Sequence, residues 1–90
     1  MPVLEDGSSL AFPCDFPIKV MGRKEPRFAQ TVMEIVLKHA PDFDPATIEM
    51  RPSRQAKYLS VTCVVRATSR LQMDALYQEL CDHPSVMMVL

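Results

Sequence analysis

The chain has no asparagine, two glycines and three cysteines in its ninety residues, and its charges nearly cancel, with ten Lys and Arg against eleven Asp and Glu. Each scarcity closes off a class of activity. A net charge of −1 gives no global attraction for nucleic acid or an anionic membrane, so any electrostatic recognition has to be local. Cys14, Cys63 and Cys81 cannot all pair within the chain, and none belongs to a Cys-x-x-Cys. That usage fits a reduced, cytoplasmic protein in which Cys63 is a small core residue. No apolar segment approaches the roughly 20 residues of a membrane-spanning helix. The first residues, "MPVLEDGSSLAFP", carry Glu5 and Asp6 and no long apolar run, unlike a signal or transit peptide.

What is present reads as one small domain. Residues 1–11, with Pro2, Gly7, Ser8 and Ser9, break any period and are expected to form a flexible tail. From residue 12 the pattern sharpens. In "DFPIKVMG" Ile18 and Val20 alternate with Lys19 and Met21, which predicts a strand ended by Gly22. Pro26 suits the first turn of a helix, and Ala29, Val32, Met33, Val36 and Ala40 recur at helical spacing, broadened by Phe28 and Ile35, up to Pro41. "ATIEMRPS" alternates again, and Pro52 implies an edge strand because proline supplies no ladder hydrogen bond. "SRQA" turns into "KYLSVTCVVRA", whose Leu59, Val61, Cys63, Val65 and Ala67 fall on one side of the pleat. Ser69 and Gln72 have the spacing of a capping box, Met73, Leu76, Tyr77 and Leu80 line one helical face, and "SVMMVL" reads as a last short strand. Right-handed crossovers turn this βαββαβ order into an α+β, ferredoxin-like sandwich: one antiparallel sheet, order 4-1-3-2, with both helices on one face, over residues 12–90.

Five blocks, "FPIKVMG", "VLKHAP", "KYLSVTCVVRAT", "LYQEL" and "MMVL", occur in this order, and through them the span from Phe12 to Leu90 resembles the YbeD-like family of small bacterial proteins of unknown function. The resemblance implies a ferredoxin-like fold similar to the small regulatory, ACT-like domain of phosphoglycerate dehydrogenase. It also implies an association with lipoate metabolism, because genes of the family often lie beside a lipoyl-transfer gene. It supplies no catalytic residue.

Two surfaces stand out as candidate sites. In the 4-1-3-2 order the end of the first strand, the tip of the hairpin and the loop into the last strand share one end of the molecule. That end gathers Gly22, Arg23, Lys24, Arg54 and Lys57, joined by Arg27 and His83, and five basic residues with no acidic one lie between Met50 and Met73. Cations beside a helix N-terminus favour a small anionic metabolite with a carboxylate or phosphate group. The competing reading is that loop Arg and Lys are simply solvated, and Glu25 dilutes the cluster. The second surface is the sheet face away from the helices. With Val86 and Met88 taken as inward, Met21, Val64, Met87 and Val89 form an apolar patch beside Tyr58, Ser60, Thr62 and Arg66, expected to meet a protein partner or a second copy of the chain. The competing reading there is that scattered surface apolar residues need no partner.

Several chemistries lack their residues. "VMGRKEPRF" faintly resembles the acylphosphatase phosphate loop, but that loop needs a second glycine and an asparagine, and the chain has only Gly7 besides Gly22 and no asparagine. RNA-recognition modules stack bases on sheet-face aromatics, and only Tyr58 is available. Cys81 and His83 have no second pair with which to hold zinc. Ser60, Asp74 and His39 carry the letters of a hydrolase triad without a nucleophile turn. Asp42 and Asp44 lack the glycine and glutamate of a calcium loop and read as turn chemistry. The expectation is a non-catalytic, cytoplasmic regulatory or accessory domain, without cofactor, nucleic acid or membrane as partner.

Overall fold

The structure, a computed structural model, describes residues 12–55 and 57–90. The segment read as a tail, residues 1–11, lies outside them. Ten residues of alternating burial form strand β1 (Cys14–Arg23), with Ile18 and Val20 buried and Lys19 exposed. Helix α1 (Phe28–His39) buries Phe28, Val32, Ile35 and Val36 along one stripe, as their spacing requires. It starts two residues later than Pro26, with Arg27 at the N-cap and no side chain capping it. Lys38 and His39 lie in its final turn, where positive charge is favourable at the negative end of the helix dipole.

A 3-10 turn (Pro45–Thr47) follows, held by Asp44, whose Oδ1 accepts from the Ala46 N–H at 3.0 Å while its carbonyl accepts from the Thr47 hydroxyl at 2.7 Å. Strand β2 (Glu49–Pro52) is short, exposed throughout and at the sheet edge, where Pro52 is tolerated. Strand β3 (Tyr58–Ala67) runs antiparallel to β1 over ten residue pairs, with Ile18 opposite Cys63 and Val20 opposite Val61. Helix α2 (Arg70–Asp82) buries Met73, Leu76 and Leu80. Strand β4 (Val86–Val89) closes the other edge, giving the order β2-β3-β1-β4, which is the expected ferredoxin-like sheet.

The core lies between the sheet's inner face and the two helices. Fully burying each Val, Leu, Ile, Met or Phe there stabilises the fold by about 1.5–3 kcal/mol relative to leaving it exposed. One core member comes from an unexpected place: Phe43, between Asp42 and Asp44, turns in from the connection after α1.

Only half of the expected capping box forms. Ser69 Oγ accepts from the Gln72 N–H at 3.1 Å, but Gln72 Oε1 accepts from the Thr68 N–H at 2.7 Å, one residue before the cap. The same amide donates to the carbonyls of His39 (3.0 Å) and Arg66 (3.3 Å), so one side chain ties the end of α1, the end of β3 and the start of α2.

Strand β4 departs from simple alternation. Val89 pairs with Val20 and Met88 with Met21, yet Gly22 pairs with Val86, so one extra residue, Met87, is accommodated as a bulge. The extra residue reverses the side-chain phase part-way along the strand. Val86 and Val89 both pack against the core, while Met88 shares the outer face with Met21. This corrects the expectation that Met88 faces inward and Val89 outward.

Candidate functional site

Side chains alternate along β1, so the last outward residue, Arg23, stands opposite Tyr58 at the start of β3. Just beyond, the Lys24 N–H donates to the Lys57 carbonyl at 3.0 Å, which fastens the loop entering α1 to the end of the β2-β3 hairpin. The hairpin is itself closed by the Ser53 N–H donating to the Tyr58 carbonyl (2.9 Å) and the Tyr58 N–H donating to Ser53 Oγ (3.2 Å). These contacts bring Arg23, Lys24, Lys57 and Tyr58 around one open depression of about 480 Å³, with Glu25 on its wall. Glu25 Oε1 accepts from the Ser85 hydroxyl at 3.3 Å, so this carboxylate is turned partly toward the loop before β4. Among the described residues, none of the three cations makes an ion pair. A concave, solvent-open surface with three unpaired cations and one aromatic residue can offer charge-assisted hydrogen bonds to a phosphate or carboxylate.

Two residues expected at this site are elsewhere. Gly22 is buried, and the space where a Cβ would sit is taken by the Phe28 ring and the Ser85 carbonyl, so it shapes the strand crossing rather than contacting a ligand. Arg54 lies exposed in the hairpin turn, outside the depression's lining. The run of basic residues from Met50 to Met73 is also divided by the fold. Arg66 pairs with Asp15 (3.3 Å) near the start of β1, at the opposite end of the sheet, and Arg70 lies 3.9 Å from Asp74 on α2. His83 accepts the Ser85 N–H at its Nδ1 (3.1 Å) and lines a groove between the helices with Lys38 and Glu79.

The outer face of the sheet carries rows fixed by register. Met88, Met21, Ser60 and Arg51 form one row across all four strands, and Lys19 and Thr62 lie in the next, beside Glu49. Leu90 joins that second row, exchanging both backbone hydrogen bonds with Lys19 (2.8 and 3.1 Å). Met21, Tyr58 and Val64 are on this face as expected, Met87 is exposed at the bulge, and Val89 is not on the face. Met88 and Leu90, 50% and 60% exposed, take the place assigned to Val89.

The letters of a hydrolase triad are dispersed: Ser60 is on the outer face of the sheet, while His39 is on the helix layer. Its Nε2 is 2.7 Å from Glu79 Oε1. Lys38 Nζ donates to Glu79 Oε2 at 2.9 Å. These hydrogen bonds from Lys38 and His39 hold the Glu79 carboxyl below its ordinary pKa. Burial pushes the Cys63 thiol up to about 11, as befits a core residue. Among the described residues no three His, Cys, Asp or Glu side chains converge as a metal site, and no helix is long and apolar enough to cross a membrane.

The family described as "Protein of unknown function (DUF493)" matches residues 8–90. A UPF0250 protein of Nitrosomonas europaea is 53% identical over 87 residues, covering 97% of this chain and 100% of its own length. The chain belongs to this family. Another UPF0250 protein, from Bordetella pertussis, is 57% identical over 83 residues, or 92% of this chain and 91% of that protein. Among solved structures, DUF493 architecture as seen here is similar to a solution structure of a Helicobacter pylori protein, with a TM-score of 0.75 at 16% identity, covering 100% of this chain and 94% of the other. It is also similar to the crystal structure of the ACT domain from the GTP pyrophosphokinase of Chlorobium tepidum, with a TM-score of 0.64 at 15% identity, covering 86% and 97% of the two chains. At such identities the likeness concerns the fold alone.

Residue types in turns give no signal for the Lys24–Lys57 backbone bond that closes the depression, nor for the contribution of Leu90, the last residue, to the outer face. The one available sign of the latter was the unbroken apolar run "VMMVL".

Proposed function

We propose that this DUF493 chain is a non-catalytic, cytoplasmic regulatory or accessory domain of ACT-like architecture that binds a small anionic metabolite at the depression between β1, α1 and the β2-β3 hairpin. The supporting observation is the convergence of Arg23, Lys24 and Lys57 on one open hollow beside Tyr58, with a backbone hydrogen bond holding its two sides together. Two or three charge-assisted hydrogen bonds at so open a site correspond to weak, salt-sensitive binding. The test is a titration of isotope-labelled protein with pyrophosphate and with citrate. Saturable amide shifts at Arg23, Lys24 and Lys57, abolished by Lys24→Glu with Lys57→Glu, are the expected result. Unmoved amides across that stretch at millimolar ligand and low salt would remove the reading.

A second reading has its own observation, the exposed apolar side chains of Val64, Met88 and Leu90, with half-buried Met21, on a sheet face that carries no helix among the described residues. On that reading the chain is an interaction module that pairs with a protein partner or with a second copy of itself and needs no ligand. Light scattering that stays at the monomer mass at high concentration, unchanged by Met88→Lys, would count against self-association.

A further inference from the structure

The basic depression and the outer sheet face meet at Tyr58. It lines the depression and also a smaller hollow of about 220 Å³ on the sheet face, which it shares with Lys19, Met21, Arg51, Ser60 and Leu90. The register accounts for this composition: Met21 stands opposite Ser60, Ser60 opposite Arg51, and Leu90 beside Lys19. The result is a short apolar strip of Met21 and Leu90 with Lys19 and Arg51 nearby, continuing past Tyr58 to the depression with its three cations and Glu25. Among the described residues neither Lys19 nor Arg51 makes an ion pair.

We infer that the ligand is a small soluble amphiphilic anion, its phosphate or carboxylate head held by Arg23, Lys24 and Lys57 and a short acyl or alkyl chain laid past Tyr58 over Met21 and Leu90. The inference rests on the anion site proposed above and specifies its ligand class. A compact polar anion would use the depression and leave the apolar strip wet. An uncharged apolar ligand would leave the cations unmatched. A nucleotide is disfavoured because the strip is made of methionine and leucine, whereas base-binding platforms rely on stacked aromatic rings. The hollow is smaller than the roughly 300–1,000 Å³ typical of drug-sized ligands, which calls for a short chain. Removing its methylenes from water supplies affinity that the solvated cations alone lack.

The experiment compares ethyl phosphate, hexyl phosphate and hexyltrimethylammonium on labelled protein. Hexyl phosphate is expected to bind at least tenfold tighter than ethyl phosphate, equivalent to about 1.4 kcal/mol. Its shifts should extend from Arg23, Lys24 and Lys57 to Met21, Ser60 and Leu90, and the cationic amphiphile should give no saturable shift. Leu90→Gln, a neutral change at an exposed position, should bring the affinity for hexyl phosphate down to near that of ethyl phosphate, and Ser60→Gln serves as the second variant. Equal affinities, with shifts confined to the basic depression, overturn this inference and leave the anion site standing. Absence of binding by either phosphate overturns both. Saturable binding of the cationic amphiphile, or hexyl phosphate shifts confined to the sheet face, overturns the assignment of head and tail.

Discussion

Replacing Gly22 by alanine tests how the end of β1 is packed beside the candidate site. Gly22 is buried near the end of β1, between Leu59 on β3 and Val86 on β4, and a Cβ there would point into the helix layer. It would lie 2.6 Å from Phe28 Cζ and closer still to Phe28 Cε1 and the Ser85 carbonyl oxygen. Real Cβ atoms essentially never come within 3.0 Å of such neighbours, and one of these is backbone, which cannot rotate away. Overpacking of this kind costs about 1–3 kcal/mol. Alanine recovers about 0.4–1 kcal/mol by restricting the unfolded chain, so the net loss is roughly 1–2 kcal/mol. For a chain of this size that lowers Tm by roughly 5–15 °C, measurable by circular dichroism. Because Ser85 also bonds Glu25, the same variant should move the amides of Ser85 and Glu25 and loosen the wall of the basic depression. Pairing it with Phe28→Leu should recover part of the loss, since one of the two clashes is with the ring. A Gly22→Ala protein as stable as the parent, with unmoved Ser85 and Glu25 amides, would refute the argument that this glycine is required for room.

Three further outcomes follow from named contacts. Glu79 has its pKa lowered by hydrogen bonds from Lys38 and His39, so the stability it contributes is complete above the ordinary carboxylate range and is lost as pH falls through the depressed folded-state value. Glu79→Gln should therefore flatten the acid limb of a Tm-versus-pH curve, and an unchanged limb would show that the carboxylate contributes nothing there. In native protein at neutral pH, exposed Cys81 should react rapidly with a thiol reagent while Cys63, with its thiol pushed up to about 11 by burial, reacts only on unfolding; rapid modification of Cys63 would contradict its core position. Gln72→Ala leaves the His39 and Arg66 carbonyls without this donor and should cost about 1–3 kcal/mol in denaturant unfolding, whereas a change below about 0.5 kcal/mol would mean water replaces the amide without penalty.

The fold is legible wherever apolar and polar residues contrast. Ile18 and Val20 against Lys19, or Val32 and Val36 against Gln30 and Glu34, state both the period and the buried side. Strand β4 is not legible in this way, because every side chain in "VMMV" is apolar and alternation carries no information, so a bulge at Met87 leaves no trace in composition. Phe43 is hidden for the opposite reason: it is a lone apolar residue among prolines and aspartates, and only the three-dimensional return of the chain sends it inward. The basic end is partly legible. Arg23, Lys24 and Lys57 are brought together by topology, which the element order implies, whereas the exclusion of Arg54 depends on the path of the hairpin turn. Gly22 reads as a strand end next to cations, and nothing in its neighbours along the chain announces the crowding from Phe28 and Ser85.

The bulge in β4 also guards against self-templated growth. The β2 edge is protected by Glu49, Arg51 and Pro52, but the side chains of β4 carry no charge at all, and an uncharged, straight, apolar edge is the kind on which further chains add and fibrils start. Shortness and the kink at Met87 are what interrupt that template. Removing this one methionine would leave an unbroken ladder along an uncharged edge, so the residue that looks most dispensable in the strand is the one that breaks its regularity.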